Sequence, residues 1–273
     1  MEIIAAEFRR SPQFALLSWN YCSKLAVLLI GCNNADALPL IDRSLYKPIK
    51  RGFDLLLALG AILLLSPLLT ALALWVKLSS PGPVLYRGIR IGFGGKPFEL
   101  LKFRTMVVDA ERLGGSSTSA DDPRITRAGH FLRRYKLDEL PQLLNVFRGD
   151  MSFVGPRPQV RWAVDLYTTE ERELLVVRPG ITDYASLKYR DEGEILRGAQ
   201  DPDQAYLELI APGKIRLGLY YVAHSSLWTD CLLLVATTMA VFGHDPTWCL
   251  PSGERQPAAT ALSRTAFSQP NKS

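Results

Sequence analysis

The chain has 273 residues, 48% of them hydrophobic and 22% charged, with a formal net charge of +5. That length suffices for one good-sized domain or two small ones, and the positive surplus favours an anionic partner: nucleic acid, acidic lipid or a phosphorylated small molecule. Four scattered cysteines, with no C-x-x-C pair and no histidine at zinc-ligand spacing, give no basis for a disulfide framework or a zinc site and fit a reducing compartment.

In chain order, residues 1–46 hold one apolar run, Leu25–Ile30, too short to cross a bilayer, and no clean cleavage site. They read as a weakly ordered N-terminal arm. Residues 47–78 hold the strongest feature, the run Phe53–Val76, whose only charge is Asp54. It is apolar on all sides, which suits lipid, and about 20 such residues cover the hydrocarbon core. Ser66-Pro67 falls near its middle, where proline removes a backbone hydrogen bond and crowds the preceding turn. Lys47, Lys50 and Arg51 precede the run, and Lys77, Arg87 and Arg90 follow it. Basic residues on both flanks favour two cytoplasmic ends. A re-entrant helix-break-helix satisfies the flanks and the proline together; a kinked transmembrane helix satisfies only the proline. Arg51 and Asp54, three residues apart, are placed to pair on one face as an anchor.

Ser79–Pro83 is a turn-rich linker. Val84–Ile91 and Pro97–Phe103 read as a β-hairpin around Gly92-Phe93-Gly94-Gly95, glycines that favour a turn over a phosphate loop. Asp109–Thr126 is polar and reads as a mobile loop. A helix is expected to begin at or near Asp138 and run through Leu143, Leu144 and Phe147. Thr168 and Glu171 form a capping box for another, stopped by Arg178-Pro179-Gly180. Two or three further helices follow between Asp203 and Phe242. Leu227–Phe242 reads as an interfacial or core helix. Residues 243–273 read as a disordered tail. The fold class is α+β and mostly helical: a monotopic membrane protein with a re-entrant segment, a small β-hairpin and a helical catalytic domain over residues 79–242.

Asp138-Glu139 follows closely on Arg133, Arg134 and Lys136. By itself this is a common solvated surface pattern. At a helix start, however, free N–H groups and positive potential suit a phosphate, and arginines suit its oxygens. One carboxylate could then act as nucleophile while its neighbour holds a divalent metal.

Longer motifs carry a resemblance. Lys50-Arg51-Gly52-Phe53-Asp54, Ser66-Pro67, Lys102-Phe103-Arg104-Thr105-Met106, Leu137-Asp138-Glu139-Leu140-Pro141-Gln142-Leu143, Asn145-Val146 and the run Gly149–Pro158 resemble the bacterial sugar transferase family, the monotopic polyprenyl phosphate phosphoglycosyl transferases. Arg178-Pro179-Gly180-Ile181-Thr182 and Tyr220-Tyr221-Val222 extend the match to roughly Tyr46–Phe242. The resemblance implies that Asp138 attacks the β-phosphorus of a UDP-sugar, that UMP leaves, and that a polyprenyl phosphate such as undecaprenyl phosphate resolves the aspartyl intermediate, a first membrane step of exopolysaccharide or O-antigen synthesis. It further implies that Glu139 binds Mg2+, that Arg133 binds phosphate, and that Arg157 of Pro156-Arg157-Pro158 lies at the nucleotide end. Lys102 and Arg104 are basic candidates facing the site. The implied location is the bacterial inner membrane, with the catalytic domain on the cytoplasmic face. The implied partners are the UDP-sugar, polyprenyl phosphate and the bilayer, with no nucleic acid; self-association is left open.

Two departures stand out. Family members often carry Gln where Gly88 stands, and Gly-Trp-Ala-Gln-Val-Asn-Gly-Arg where this chain reads Asp183-Tyr184-Ala185-Ser186-Leu187-Lys188-Tyr189-Arg190. The second bears on the sugar pocket, hence on which sugar is used. Two rivals remain at the level of sequence. A UDP-releasing glycosyltransferase would use a D-x-D metal motif, and Asp201-Pro202-Asp203 has the letters, although Asp203 as a helix N-cap explains it more simply. A non-catalytic membrane scaffold would leave Arg133, Asp138 and Glu139 without a task.

Overall fold

The computed structural model of the chain describes residues 43–113, 115 and 117–254. The expected N-terminal arm up to Asp42 and the expected tail beyond Glu254 lie outside the described residues.

Helix α1 (Arg43–Ser79) has 37 residues and contains Pro48 and Pro67. Among the described residues it is the one helix long and apolar enough to cross a membrane. No helical break occurs at Ser66-Pro67, contrary to the helix-break-helix expectation. The reason is local. Proline at position 67 leaves the Leu63 carbonyl without its helical donor, and the Ser66 hydroxyl donates to that carbonyl at 2.9 Å. One turn on, the Thr70 hydroxyl donates to the Ser66 carbonyl at 2.9 Å.

Strands β1 (Leu85–Ile91) and β2 (Pro97–Phe103) pair antiparallel, with Leu85 opposite Phe103. Gly94 and Gly95, at φ 64° and 74°, make the turn between them, so the hairpin is as expected. Helix α2 (Arg127–Arg134) starts on Thr126, whose hydroxyl accepts from the Gly129 amide at 3.0 Å. The expected helix at Asp138 differs in detail. Leu137–Glu139 is a 3-10 turn, and helix α3 (Gln142–Arg148) begins only after Pro141. Pro141 has no N–H with which to continue the turn, so the chain restarts there, with the Leu144 amide donating to the Pro141 carbonyl at 3.0 Å. Asp138 is therefore not in the first turn of an α-helix.

Strands β3 (Ser152–Val154) and β4 (Gly180–Thr182) pair in parallel. Between them the Thr168–Glu171 capping box forms reciprocally, at 2.8 Å and 3.3 Å, but it opens a 3-10 stretch, Glu171–Val176. Helices α4 (Tyr184–Lys188), α5 (Pro202–Leu209), α6 (Ala211–Ala223) and α7 (Leu227–Val241) complete the domain. Their shared core includes Tyr184, Ile210, Leu217, Tyr221 and Leu233. Burying each of the aliphatic members contributes about 1.5–3 kcal/mol.

The expected tail is partly folded. Cys249 and Leu250 are buried in the same core, and Glu254 accepts from both Lys188 and Arg216. Short 3-10 turns, Thr247–Cys249 and Ser252–Glu254, carry these contacts, so order runs at least twelve residues past the boundary that composition alone sets.

The first turns of α1 are fastened to the domain by polar bonds. Lys50 Nζ donates to Asp230 Oδ2 at 2.7 Å, the Tyr46 hydroxyl to the same oxygen at 3.0 Å, and the Tyr221 hydroxyl to Asp230 Oδ1 at 2.7 Å. Arg51 and Asp54, expected to pair with each other, each bond the domain backbone instead. The Arg51 guanidinium donates to the Val146 and Phe147 carbonyls at 2.7 Å and 3.0 Å. Those carbonyls end α3, where a helix offers unsatisfied acceptors and negative potential. Asp54 Oδ1 accepts from the Phe153 amide at 3.1 Å.

Candidate active site

Three elements converge on Asp138. Asn145, fully buried on α3, holds β2 in place: its Oδ1 accepts from the Leu101 amide at 3.0 Å, and its Nδ2 donates to the Glu99 carbonyl at 2.7 Å. A side-chain amide thus supplies the bonds a third strand would make to the edge of β2. This sets the neighbouring Lys102. Gly129 on α2 lies against Thr105, close enough that a Cβ would stand 2.0 Å from the Thr105 carbonyl oxygen. That approach brings Arg133 Nε to 3.0 Å from Thr105 Oγ1. Gly155 and Gly180 meet as tightly, since a Cβ on Gly180 would fall 2.1 Å from the Gly155 nitrogen. The chain leaving β3 is thereby steered through Pro156 to Arg157.

The result is an acid pair inside a ring of cations. Lys102 Nζ lies 3.0 Å from Glu139 Oε1 and 4.0 Å from Asp138 Oδ2. Arg157 forks onto Glu139, with Nη1 at 3.1 Å from Oε2 and Nη2 on Oε1. Asp138 is 6% exposed, and its Oδ1 has no hydrogen-bond partner. The two carboxyls are driven apart in acidity. Burial pushes Asp138 up, against the pull of Lys102. Burial also acts to raise Glu139, but the Arg157 and Lys102 charges outweigh it and hold that carboxyl well below the usual carboxylate range. Glu139 is thus a fixed anion, whereas Asp138 is a partly desolvated carboxyl with a free oxygen.

The structure therefore gathers Lys102, Asp138, Glu139 and Arg157, with Arg133 beside them. Arg104 is not among them. Strand β2 ends at Phe103, so the period-two alternation that would put residues 102 and 104 on one face stops short. The Arg104 guanidinium donates instead to the Ser80 and Pro81 carbonyls at 2.7 Å and 2.8 Å, fastening the turn after α1. Ser66 and Pro67 lie within α1, and Arg51 and Asp54 join that helix to the domain. Among the described residues no group of three or more His, Cys, Asp or Glu could hold a metal ion. Asp201, not Asp203, caps α5 by accepting from the Asp203 and Gln204 amides, while Asp203 Oδ1 accepts from the Ser117 amide at 2.6 Å. The D-x-D letters thus have structural work.

Three features escape the sequence reading. Asp230 stands in the sequence as a lone acid in an apolar helix, and nothing there points to its partner Lys50, 180 residues away. Lys136 was visible only as one member of a basic run. Arg157 also borders a cavity of about 210 Å³, walled in part by Gln159, Tyr167, Asp183, Tyr206 and Lys214; of these only Asp183, at the start of the departing segment Asp183–Arg190, is marked by the sequence.

Residues 45–244 match the family model described as bacterial sugar transferase. This chain belongs to the bacterial sugar transferase family. Among its relatives is a UDP-N-acetylgalactosamine-undecaprenyl-phosphate N-acetylgalactosaminephosphotransferase of Aeromonas hydrophila, 38% identical over 206 residues, which make up 74% of this chain and 45% of that protein. A UDP-glucose:undecaprenyl-phosphate glucose-1-phosphate transferase of Escherichia coli is 37% identical over 221 residues, or 77% of this chain and 44% of its own length. The exopolysaccharide production protein PSS of Rhizobium leguminosarum is 39% identical over 199 residues, or 70% and 94%. The chain thus spans less than half of the first two relatives and nearly all of the third. The matched region contains all but the first two residues of α1, the hairpin, and Lys102, Arg133, Asp138, Glu139 and Arg157.

Proposed function

We propose that this sugar transferase family member moves a sugar 1-phosphate from a UDP-sugar to undecaprenyl phosphate or a similar polyprenyl phosphate. The observation that carries the reading is the buried Asp138 carboxyl, with an unpartnered oxygen, among cations suited to a diphosphate. In the first step an Asp138 oxygen bonds the β-phosphorus, the bond from that phosphorus to the bridging oxygen breaks, and UMP departs with that oxygen. In the second an oxygen of the lipid phosphate bonds the same phosphorus and the carboxylate leaves. Arg133 and Lys102 would offset charge on the phosphoryl oxygens. Arg157 is held by Glu139 and lines the cavity, where it would orient the substrate. Incubation with polyprenyl phosphate and a panel of UDP-sugars should release UMP with one of them. Release of UDP instead would favour the glycosyltransferase reading.

Magnesium fits this donor set in one specific way. It commonly takes one or two carboxylates and completes its shell with substrate phosphates and water, and Glu139 would be that carboxylate, exchanging its contact with Lys102 for the ion. Bound there, it would neutralise charge on the diphosphate. Turnover should vanish in excess chelator and return on adding magnesium. Undiminished turnover in chelator would remove Glu139 from this role.

We also read α1 as a re-entrant segment placing the domain on the cytoplasmic face of the inner membrane. Support comes from its contacts. Ala58 shares an apolar cluster with Leu100, and Val76 shares one with Phe103. In a straight helix the first pair member lies about 27 Å from Val76, whereas Leu100 and Phe103 are about 10 Å apart along β2. A bend near Ser66-Pro67 reconciles the two. Between these contacts the helix exposes Leu63 and Leu64, the latter 80% exposed. Cysteines introduced as Leu45→Cys and Leu85→Cys should both resist an impermeant periplasmic reagent in intact cells. Labelling of one but not the other would mean a true span.

A further inference from the structure

The Asp138 turn begins on Lys136, whose backbone is left-handed at φ 56° and ψ 21°. Among the described residues, Asp109 is the one other non-glycine with positive φ. This conformation lets the chain reverse between α2 and the turn: the Lys136 amide donates to the Arg133 carbonyl at 3.2 Å, and its carbonyl accepts from the Glu139 amide at 3.4 Å. Glycine or asparagine would hold that geometry at lower cost, because an L side chain with a Cβ is crowded there. A lysine at this position is explained by its side chain rather than its backbone.

The other cations around the acid pair already have partners. Lys102 and Arg157 are bonded to Glu139, and Arg133 Nε is bonded to Thr105. Lys136 makes no hydrogen bond or ion pair with a described side chain, although its ammonium lies in the field of Glu139, Arg157, Asp138 and Lys102. Lys102, Arg133, Lys136 and Arg157 together outweigh the two carboxylates by two charges, which is the charge of a nucleotide-sugar diphosphate. We propose that Lys136 is a substrate-binding residue whose ammonium contacts the diphosphate of the nucleotide-sugar, tolerating a strained backbone to reach it. The inference rests on the reading that a UDP-sugar is the donor.

The test uses the full chain in lipid nanodiscs, with UDP as the binding probe and UDP-sugar turnover as a second readout. Lys136→Gly and Lys136→Asn relax the backbone and remove the charge; Lys136→Arg keeps the charge. The first two should bind UDP about tenfold more weakly and raise KM for the UDP-sugar by a similar factor. Their thermal midpoints should equal or exceed that of the parent, because the strain is gone. Lys136→Arg should recover most of the lost affinity. UDP affinity within about twofold of the parent in Lys136→Gly, or an arginine variant as weak as the glycine one, would overturn the assignment. A parent protein that binds UDP but releases UMP from no UDP-sugar would sink the transfer reading, while the binding comparison would still decide the role of Lys136.

Discussion

Asp138→Asn should abolish formation of a phosphosugar adduct and cut UMP release by about four orders of magnitude or more, the scale seen when a nucleophile is removed. The amide is nearly the same size but a poor nucleophile, and it no longer opposes the charge of Lys102. With UDP-sugar and no lipid, the parent should release up to one equivalent of UMP and gain the mass of one phosphosugar; the variant should do neither. An adduct that persists in the variant, or is absent from the parent, would favour direct in-line transfer. The pH dependence has a definite sign. In the proposed mechanism the attacking group is the ionised carboxyl, so the burst should be lost as pH falls through the Asp138 pKa, with a midpoint above the ordinary value of 3.8 because burial raises it. The same shift gives a stability prediction. A raised folded-state pKa means that ionising Asp138 opposes folding as pH climbs past its unfolded value. Asp138→Asn should therefore unfold at the same temperature as the parent near neutral pH, or at a higher one.

Asp230→Ala should have the largest effect on stability. Its carboxylate is 2% exposed and bonded to Lys50, Tyr46 and Tyr221. Truncation leaves a mostly buried ammonium without its acceptor, and leaves the two phenols only the Val154 carbonyl, 3.2 Å from the Tyr221 hydroxyl, and each other at 3.4 Å. Breaking one side of such a pair costs about 3–5 kcal/mol, although replacing both partners with well-packed apolar groups is often neutral. Denaturant unfolding in detergent should show that loss for Asp230→Ala, with much of it recovered in Asp230→Leu combined with Lys50→Met. A single-variant loss below about 1 kcal/mol would mean that water reaches the pair and screens it.

What the sequence revealed and what it hid divide along a physical line. The apolar run, the hairpin glycines and the Thr168–Glu171 box are local: each signal acts within a few residues, and each appears where expected. The Asp138-Glu139 motif was legible because consecutive letters carry it, although the turn that holds it was not, since Pro141 delays the helix by four residues. Long-range partners were hidden. Nothing around Arg104 says that its guanidinium faces Ser80 rather than Asp138, and nothing around Asp230 points to Lys50. Composition erred at the C-terminal side for a related reason. Gly243–Glu254 looks like a tail by letter count, yet Leu250 and Glu254 find a buried cluster and two cations that only the folded domain assembles.

The fastening of α1 has a kinetic consequence. Its early turns are held at Lys50, Arg51 and Asp54, and its later ones by Leu72 and Val76. A domain tethered by one stalk swings; in the proposed re-entrant arrangement, a domain clamped at both legs of its anchor would drift with it as a single raft. Its reactive carboxyl would then ride at a constant height above the lipid surface, set by the protein and not by thermal tilting. For the proposed polyprenyl phosphate acceptor, the encounter would be a search in two dimensions at a fixed altitude, governed by how densely carrier phosphates populate the leaflet. Diluting the membrane with inert lipid should slow turnover even when the soluble donor saturates the site.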